Sequence, residues 1–407
     1  MPKTFRLSSS FRAERPDITL ARARSIAQRL GVSRVTDITR LDCIGVPVFA
    51  SIRPNALPGS LCVNAGKGIT INEARVGAYM EAIEYAFAEY NQADLEIKFE
   101  PARNVYAHED RSDAILDFCP VMGTEVDLNG PIACVEARDI RSRKTCLVPA
   151  ELVFLPLPTH VHGTRYFGSN SNGLCSGNSR LEATVHGLAE LIERDICSFQ
   201  AIRDTSQLVS NRTLPATMQK IETNLSAVGM RLYVRYVAND FEMPYFMAAV
   251  AETETADPIY ISVGYGCHPR KHIAITRAVC EALQSRLSFI HGGRDDLTER
   301  YKRFAACTPL ERQSYAAKLL AKVSTNGSVL HFKSIPDQSR VTDIKSALHV
   351  LMNALDRNGF RRILRVAYTQ KNSRLQVIRV LVPGLECFTE ATARVGLRLR
   401  NYVRDQL

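Results

Sequence analysis

The most informative segment of the chain is Ser169–Asp195, which reads SNSNGLCSGN and then SRLEATVHGLAELIERD. Its first ten residues are mostly small or carry amide side chains, a composition typical of a turn. Helix-forming residues dominate the remainder, where Ser179 and Glu182 have the spacing of a capping box, the signature of a helix start. The stretch therefore predicts a polar turn followed by a helix over residues 179–200.

Three acids share one face of this predicted helix. Glu190 and Glu193 follow Glu182 by eight and eleven residues, which places them about 80° and 20° from it around a helix. His186 lies on the same stripe. Carboxylates on one face repel one another, and a divalent cation with a preference for hard oxygen ligands, such as Mg²⁺, would relieve that repulsion. Capping alone is an equally good explanation of Glu182.

A glycine-rich loop precedes another predicted helix, over residues 73–91. The loop reads Asn64-Ala-Gly-Lys-Gly68 and departs from GxxxxGK[ST], because Leu61 replaces the first Gly and Gly68 replaces the Ser or Thr. Its two glycines would let the backbone approach a ligand closely, and Lys67 supplies a positive charge. Thr70 and Glu73 form a capping box.

Polar residues also follow one face of two further helical segments. Glu81 and Glu84 lie three residues apart within 73–91. In a helix predicted over residues 273–290, four polar side chains share one face: Arg277, Glu281, Gln284 and Ser288. Arg286 lies on the opposite side, where a salt bridge is the alternative to ligand binding. Taken singly, such a glutamate pair and such an Arg/Gln stripe are typical of solvated helix faces, and a solvated surface stays an alternative. In combination with a Gly-Lys-Gly loop they are also compatible with an ATP site that lacks a Walker motif.

The composition limits the class of protein. The 407 residues are 45% hydrophobic and 23% charged, which excludes extensive disorder, collagen and coiled coil. No window approaches the roughly 20 apolar residues of a membrane-spanning helix. Eleven scattered cysteines without a CxxC pair favour reduced thiols and a cytoplasmic protein. The net charge of +10 is concentrated at the two ends, which we interpret as solvated surfaces; nucleic-acid binding is the weaker alternative.

Helices and strands are intermingled along the chain, without the regular βαβ rhythm of a doubly wound sheet. Besides the helices above, the pattern predicts helices over 18–30 and 343–357 and a basic helical end. Predicted strands cover 44–52, 132–136, 145–148, 232–237, 245–250, 259–263, 362–367 and 376–381, and residues 54–68 are predicted as a loop. The fold class is mixed α/β. We expect an N-terminal segment, 1–60, packing on a catalytic domain, 61–407.

The three polar stripes resemble the nucleotide-binding motifs of the YcaO family, over nearly the whole chain. The resemblance rests on Gly66-Lys-Gly68 with Glu81-Ala-Ile-Glu84, on Ser171–Asn178 with Glu182 and Glu190-Leu-Ile-Glu-Arg-Asp195, and on Glu281-Ala-Leu-Gln-Ser-Arg286. Residues 34–47 and 382–386 resemble the branch that is often paired with TfuA-type proteins. The resemblance implies a YcaO-like α/β fold whose helices carry the nucleotide site.

The resemblance also implies an activity: ATP- and Mg²⁺-dependent modification of peptide backbone amides. In that family a nucleophile adds to the amide carbonyl, ATP phosphorylates the oxygen, and phosphate leaves. A side-chain nucleophile gives an azoline, an external sulfur source a thioamide, and an amine an amidine. The implied Mg²⁺ ligands are Glu81, Glu84, Glu182, Glu190 and Glu193. The implied ATP contacts are Lys67, Asn178, Arg194, Arg277, Gln284 and Arg286; no catalytic residue is assigned.

Two departures from the family pattern shape the expected reaction. Gly77 stands where the first motif commonly has Ser, and the chain ends without the PxPxP tail common in azoline-forming members. We therefore expect thioamidation of a ribosomally synthesised peptide, with a TfuA-like partner and a homodimeric enzyme. An azoline-forming cyclodehydratase is the alternative within this class. A non-catalytic, ATP-binding accessory factor for modification of a ribosomal protein is the alternative outside it. We see no leader-peptide-binding domain ahead of the motifs, and expect a partner or the basic ends to recognise the substrate.

Overall fold

The computed structural model describes residues 4–106, 113–253, 257–325 and 327–406. The helices there are α1 Pro16–Arg29, α2 Ile71–Ala88, α3 Ala102–Tyr106, α4 Arg180–Ile202, α5 Ala216–Ala227, α6 Lys271–His291, α7 Thr298–Ala305, α8 Pro309–Ser324, α9 Ile344–Arg357 and α10 Leu397–Arg404. The strands are β1 Phe5–Arg6, β2 Phe11–Arg12, β3 Arg34–Asp37, β4 Val48–Ile52, β5 Val63–Lys67, β6 Lys98–Pro101, β7 Pro131–Asp139, β8 Thr145–Pro149, β9 Leu174–Gly177, β10 Gln207–Leu208, β11 Met230–Tyr236, β12 Tyr245–Glu252, β13 Ser262–Cys267, β14 Leu364–Ala367 and β15 Gln376–Leu381. This is the predicted mixed α/β fold.

The chain forms two compact units, and each is assembled from separate segments. The first comprises residues 1–56, 61–82 and 205–347, and the second comprises 57–60, 83–204 and 348–407. The predicted boundary at residue 60 separates two consecutive segments of the chain. The compact units are instead interleaved along the chain, so that boundary stays a prediction.

The first unit is built on two antiparallel sheets, β3-β4-β5 and β10-β11-β12-β13. Helix α6 packs on β12 and β13, and its apolar face contributes Ile275, Val279 and Leu283 to a core cluster of this unit. The approach is close because β13 carries glycine where a side chain would meet the helix. A Cβ at Gly264 would lie 2.2 Å from the backbone nitrogen of Ala282.

The second unit is built on one sheet with the strand order β6-β7-β14-β15-β9, and β8 pairs with β7. Helix α4 packs on β9 and β15. The helix is amphipathic, and apolar residues such as Leu188 and Ile192 are fully buried on it. Ser179 caps its start by accepting a hydrogen bond from the backbone of Glu182 at 3.1 Å.

Most predicted elements are confirmed to within a few residues. The largest differences lie where small polar residues were interpreted as loop or turn. Residues 54–68 contain β5, which pairs with β4 in the register Ser51↔Asn64. The polar turn at 169–178 contains β9, whose four residues are all buried. Residues 259–263 are partly a 3₁₀ turn, and the strand begins at Ser262.

The chemistry of the cysteines also agrees with the prediction. All eleven are free thiols. Within the part of the chain that the structure describes, no helix combines the length and the apolar character needed to cross a membrane.

Candidate nucleotide and metal site

The glycines of the Gly-Lys-Gly segment serve the packing of a helix. A Cβ at Gly66 would lie 1.9 Å from the backbone nitrogen of Ala78, and one at Gly68 would lie 2.5 Å from the Cβ of Glu73. Both glycines therefore allow β5 and the loop behind it to contact α2 directly. The close approach to a ligand that these glycines would also permit stays a prediction.

Gly77 lies on the α2 side of the same contact. A Cβ there would lie 3.2 Å from the Cα of Gly66 and 3.5 Å from the backbone nitrogen of Lys67. The space for a Cβ at Gly77 is tight but not closed, because a shift of the neighbouring backbone by a few tenths of an ångström would accommodate the added carbon. A hydroxyl at this position would therefore lie close to the Gly-Lys-Gly segment.

Side-chain contacts join β5 to the motif Glu281–Arg286 on α6. The Lys67 Nζ lies 2.6 Å from Oε2 of Glu281, and the Gln284 side chain donates a hydrogen bond to the carbonyl of Ala65. Both contacts connect β5 with one face of α6. The structure thus brings together two of the predicted nucleotide contacts, and it adds Glu281 as the counter-ion of the lysine.

Arg286 is held in ion pairs on the other side of α6. Its Nε lies 2.9 Å from Asp42 and its Nη2 lies 3.3 Å from Glu252, and the side chain is buried. This arrangement favours the salt-bridge alternative for Arg286 over the predicted ATP contact. Arg277 lies near His268, whose pKa is lowered to about 3 by burial and then by the charges of Arg277 and Arg270.

Glu81 and Asn64 complete the polar surroundings of β5. Burial raises the pKa of Glu81, and the charges of Arg294 and Lys67 oppose that shift. Asn64 is fully buried, and neither polar atom of its side chain has a hydrogen-bond partner among the described residues. A buried amide without partners carries a free-energy cost that a polar ligand or a water would remove.

In the second unit, α4 carries the three predicted acids, which share one face because of the 3.6-residue period of a helix. Glu182 and Glu193 are buried, at 3% and 2% exposure, and Glu190 is half-buried. The carboxyl carbon of Glu182 lies 3.1 Å from where a Cβ of Gly177 would stand, so that glycine leaves room for it. The Arg194 guanidinium lies 3.8 Å from Glu193. Asn178 is half-buried between the end of β9 and the cap of α4.

Glu84, near the end of α2, is a neighbour of β9. The hydroxyl of Ser176 donates a hydrogen bond to the Glu84 carboxylate at 2.5 Å. Cys175, the adjacent residue, is completely buried, and burial raises the pKa of its thiol well above the ordinary value. Glu84 and Glu190 raise that pKa further. A thiolate at Cys175 would therefore be strongly disfavoured.

Asp195, which follows the acidic stripe, anchors the C-terminal segment of the chain. Burial raises its pKa to about 6, and Arg398 opposes the shift. Its Oδ1 lies 2.5 Å from Arg398 and accepts a hydrogen bond from the backbone of Glu386 at 2.7 Å. The role of Asp195 in this structure is therefore to hold residues 386–398.

The donor set fits magnesium as an ion shared with a phosphate ligand. The candidate ligands are all carboxylates, the oxygen donors that Mg²⁺ prefers. Within the described ranges, no three His, Cys, Asp or Glu side chains form a group that would hold a metal on its own. Mg²⁺ usually binds through one or two carboxylates together with substrate phosphates and water rather than in an all-protein cage.

Two of the contacts were not foreseen from the sequence. Glu281 was recognised as part of a stripe, but its pairing with Lys67 joins residues 214 positions apart. Ser176 was grouped with the turn, and its bond to Glu84 spans 92 positions. No local signal in the sequence reports such contacts, because they arise from how strands and helices pack.

Comparison with known proteins identifies the class to which this fold and its acidic helices belong. The profile of the YcaO cyclodehydratase family, described as ATP- and Mg²⁺-binding, matches residues 65–386. The structure of YcaO from Methanopyrus kandleri bound with AMPPCP and Mg²⁺ has the same fold, with a TM-score of 0.73, 24% identity and coverage of 96% of each chain.

Two relatives match at 31% identity. One is an uncharacterized protein of Methanothermobacter thermautotrophicus, over 96% of this chain and 99% of the relative. The other is an uncharacterized protein in the tfuA 3′ region of Rhizobium leguminosarum bv. trifolii, over 97% of this chain and 93% of the relative. The chain belongs to the YcaO family. The predicted family and its cofactors, ATP and Mg²⁺, are thereby confirmed.

Proposed function

We propose that the protein is a peptide backbone thioamide synthetase that uses Mg-ATP. The observation that carries the proposal is the acidic face of α4, where Glu182 and Glu193 are buried and Glu190 half-buried behind a Ser179 cap. Five carboxylates would hold the Mg²⁺ ions: Glu81, Glu84, Glu182, Glu190 and Glu193. Lys67, Asn178, Arg194, Arg277 and Gln284 would contact the nucleotide.

The chemistry asked of these residues is positioning and charge neutralisation. Phosphoryl transfer requires little else from a protein, and bound Mg²⁺ supplies neutralisation of the phosphate charge. A sulfide adds to the carbon of a peptide amide, and the γ-phosphoryl group of ATP passes to the resulting oxyanion while ADP leaves. Phosphate then departs with the former amide oxygen. The net result exchanges oxygen for sulfur in the amide.

The relative in the tfuA 3′ region supports thioamidation over other outcomes. On this proposal a TfuA-like protein delivers the sulfur or assists the reaction, and the enzyme works in the cytoplasm as a homodimer on a ribosomally synthesised peptide.

The mass of the product tests the reaction. The purified enzyme, Mg-ATP, sulfide and the TfuA-like protein from the same source would be incubated with a candidate peptide encoded beside it. We expect a gain equal to the difference between sulfur and oxygen, with ADP and phosphate formed in step. Loss of one water from the peptide would contradict thioamidation. The enzyme could instead hydrolyse ATP and leave every candidate peptide unmodified while the partner is present. That result would contradict the proposal that it modifies peptides.

Azoline formation is the second candidate, and the description of the family as cyclodehydratases favours it. In that reaction a Cys, Ser or Thr side chain of the peptide adds to the preceding amide carbon in place of sulfide. The same assay without sulfide distinguishes the two, because cyclodehydration needs no external sulfur and removes one water.

Gly77 offers a graded test of nucleotide contact. Gly77→Ser is expected to bind Mg-ATP about tenfold more tightly than Gly77→Ala, since one hydrogen bond to a charged group contributes about 1.5–3 kcal/mol. The alanine variant is the matched control, because both variants place the same Cβ 3.2 Å from the Cα of Gly66. Calorimetric titration gives the two affinities. Equal affinities would mean that this position does not reach the nucleotide.

A further inference from the structure

The face of α4 opposite its acids borders a pocket of about 350 Å³ in the second unit. Leu181 and Thr184 contribute to it. Thr184 lies about half a turn around the helix from Glu182 and Glu193, and Leu181 lies about 100° and 120° from them. Eight residues line the pocket: Arg138, Ile140, Arg143, Leu181, Thr184, Leu348, Met352 and Arg365. Its walls therefore combine three guanidinium groups with four apolar side chains and one hydroxyl.

Two of the arginines are placed directly opposite each other. Arg365 of β14 and Arg138 of β7 are register partners in the antiparallel ladder. Like charges in that position destabilise a sheet. Burial, together with the charges of Arg180 and Arg138, lowers the pKa of Arg365. The fold thus holds two cations side by side at a cost.

No carboxylate compensates these charges within the described residues. Arg138, Arg143 and Arg365 form no ion pair there, whereas the neighbouring Arg141 lies 2.5 Å from Asp356. Among the described residues, the Arg365 side chain donates a hydrogen bond to the hydroxyl of Thr184 alone, at 3.4 Å. Alternate residues of a strand point to opposite faces, so Asp139 points away from Arg138. Glu136 shares the face of Arg138 without pairing with any of the three arginines.

We propose that this pocket binds an acidic peptide segment in which carboxylate side chains alternate with apolar ones. Guanidinium groups recognise carboxylates with two parallel hydrogen bonds, and the anion would relieve the repulsion between Arg138 and Arg365. The apolar walls, including the adaptable Met352, require an occupant with apolar surface as well as charge. The choice of a peptide as the occupant rests on the proposed function, and the segment would be a part of the substrate remote from the reacting amide.

Binding can be measured without nucleotide, which separates this proposal from the Mg-ATP site. The probe is a fluorescein-labelled peptide of alternating Glu and Leu, and its control has Gln in place of Glu. We expect anisotropy to report binding of the Glu peptide only. Arg138→Gln combined with Arg365→Gln is expected to weaken that binding at least about tenfold, since two charge-assisted hydrogen bonds are lost. Arg231→Gln, an exposed change of the same charge on β11, is expected to leave it within about twofold.

Thermal unfolding of the free proteins gives a second readout. Because like charges opposite one another cost stability, Arg138→Gln alone is expected to unfold at the same or a higher temperature than wild type. A lower temperature would indicate that Arg138 stabilises the fold, and would overturn the proposal. Absence of binding to wild type at millimolar peptide, or equal binding to the double variant, would overturn it as well. Displacement of the labelled Glu peptide by inorganic phosphate as effectively as by the unlabelled Glu peptide would mean that the pocket recognises an anion and not a peptide, and would also overturn the proposal.

Discussion

Mg-ATP is expected to raise the thermal stability of the wild-type protein and to leave a Glu190→Gln/Glu193→Gln variant unchanged. A ligand that binds only the folded state stabilises it by about 2.7 kcal/mol when it is present at a hundredfold excess over its Kd. The two substitutions keep the size of the side chains but remove two carboxylates from the acidic face of α4. Without them the metal loses two of its five proposed carboxylate ligands, and the phosphates lose the cation that neutralises them, so the shift is lost.

The matched control is Glu125→Gln/Glu390→Gln, which removes two carboxylates from exposed positions. We expect it to retain the full shift. If the α4 variant were stabilised as much as wild type, Glu190 and Glu193 would not be metal ligands. A wild-type protein that showed no shift at millimolar Mg-ATP would contradict the nucleotide proposal itself, whatever the variants did.

Gly66→Ala is expected to be among the most damaging single substitutions in the chain. The new Cβ would lie 1.9 Å from the backbone nitrogen of Ala78 and 2.2 Å from the carbonyl of Ala74. Backbone atoms of a helix cannot rotate away as a side chain can, so α2 would have to move as a whole. We expect a loss of more than about 4 kcal/mol in the free energy of unfolding, the range reached only by severe steric or core changes.

Chemical denaturation measures that loss, and soluble yield reports it where the variant no longer folds. Gly327→Ala is the control, since a Cβ there meets nothing within 4 Å. It is expected to stay within about 0.5 kcal/mol of wild type. Unfolding of Gly66→Ala at the wild-type denaturant concentration would mean that β5 and α2 are not packed as closely as described.

The sequence predicted the helices of the site more closely than its strands. Helix α4 has a cap at Ser179 and a strong apolar periodicity, so its start was predicted to within one residue. Strands β5 and β9 lack alternation of apolar and polar residues, because the glycines and small residues in them meet a helix backbone on one face. That same composition is typical of loops and turns, which is why β5 was predicted as part of a loop and β9 as part of a turn.

The candidate side chains, too, were predicted better where helical periodicity decides their placement than where packing does. Helical arithmetic was enough to place Glu182, Glu190 and Glu193 on one face. It could not distinguish Arg286, which binds Asp42 and Glu252, from a nucleotide ligand. Nor could it find the opposed pair Arg138 and Arg365, because the register of two strands 227 positions apart is decided by packing.

The interleaving of the two compact units has a consequence for handling the protein in the laboratory. Helix α2 starts in the segment 61–82 and finishes in 83–204, so a cut at that boundary would split a helix. Because each unit draws on distant stretches of the gene, no single truncation yields either one whole. Fragments obtained by proteolysis or by subcloning at one site are expected to be insoluble, and dissection by point substitution is the better route.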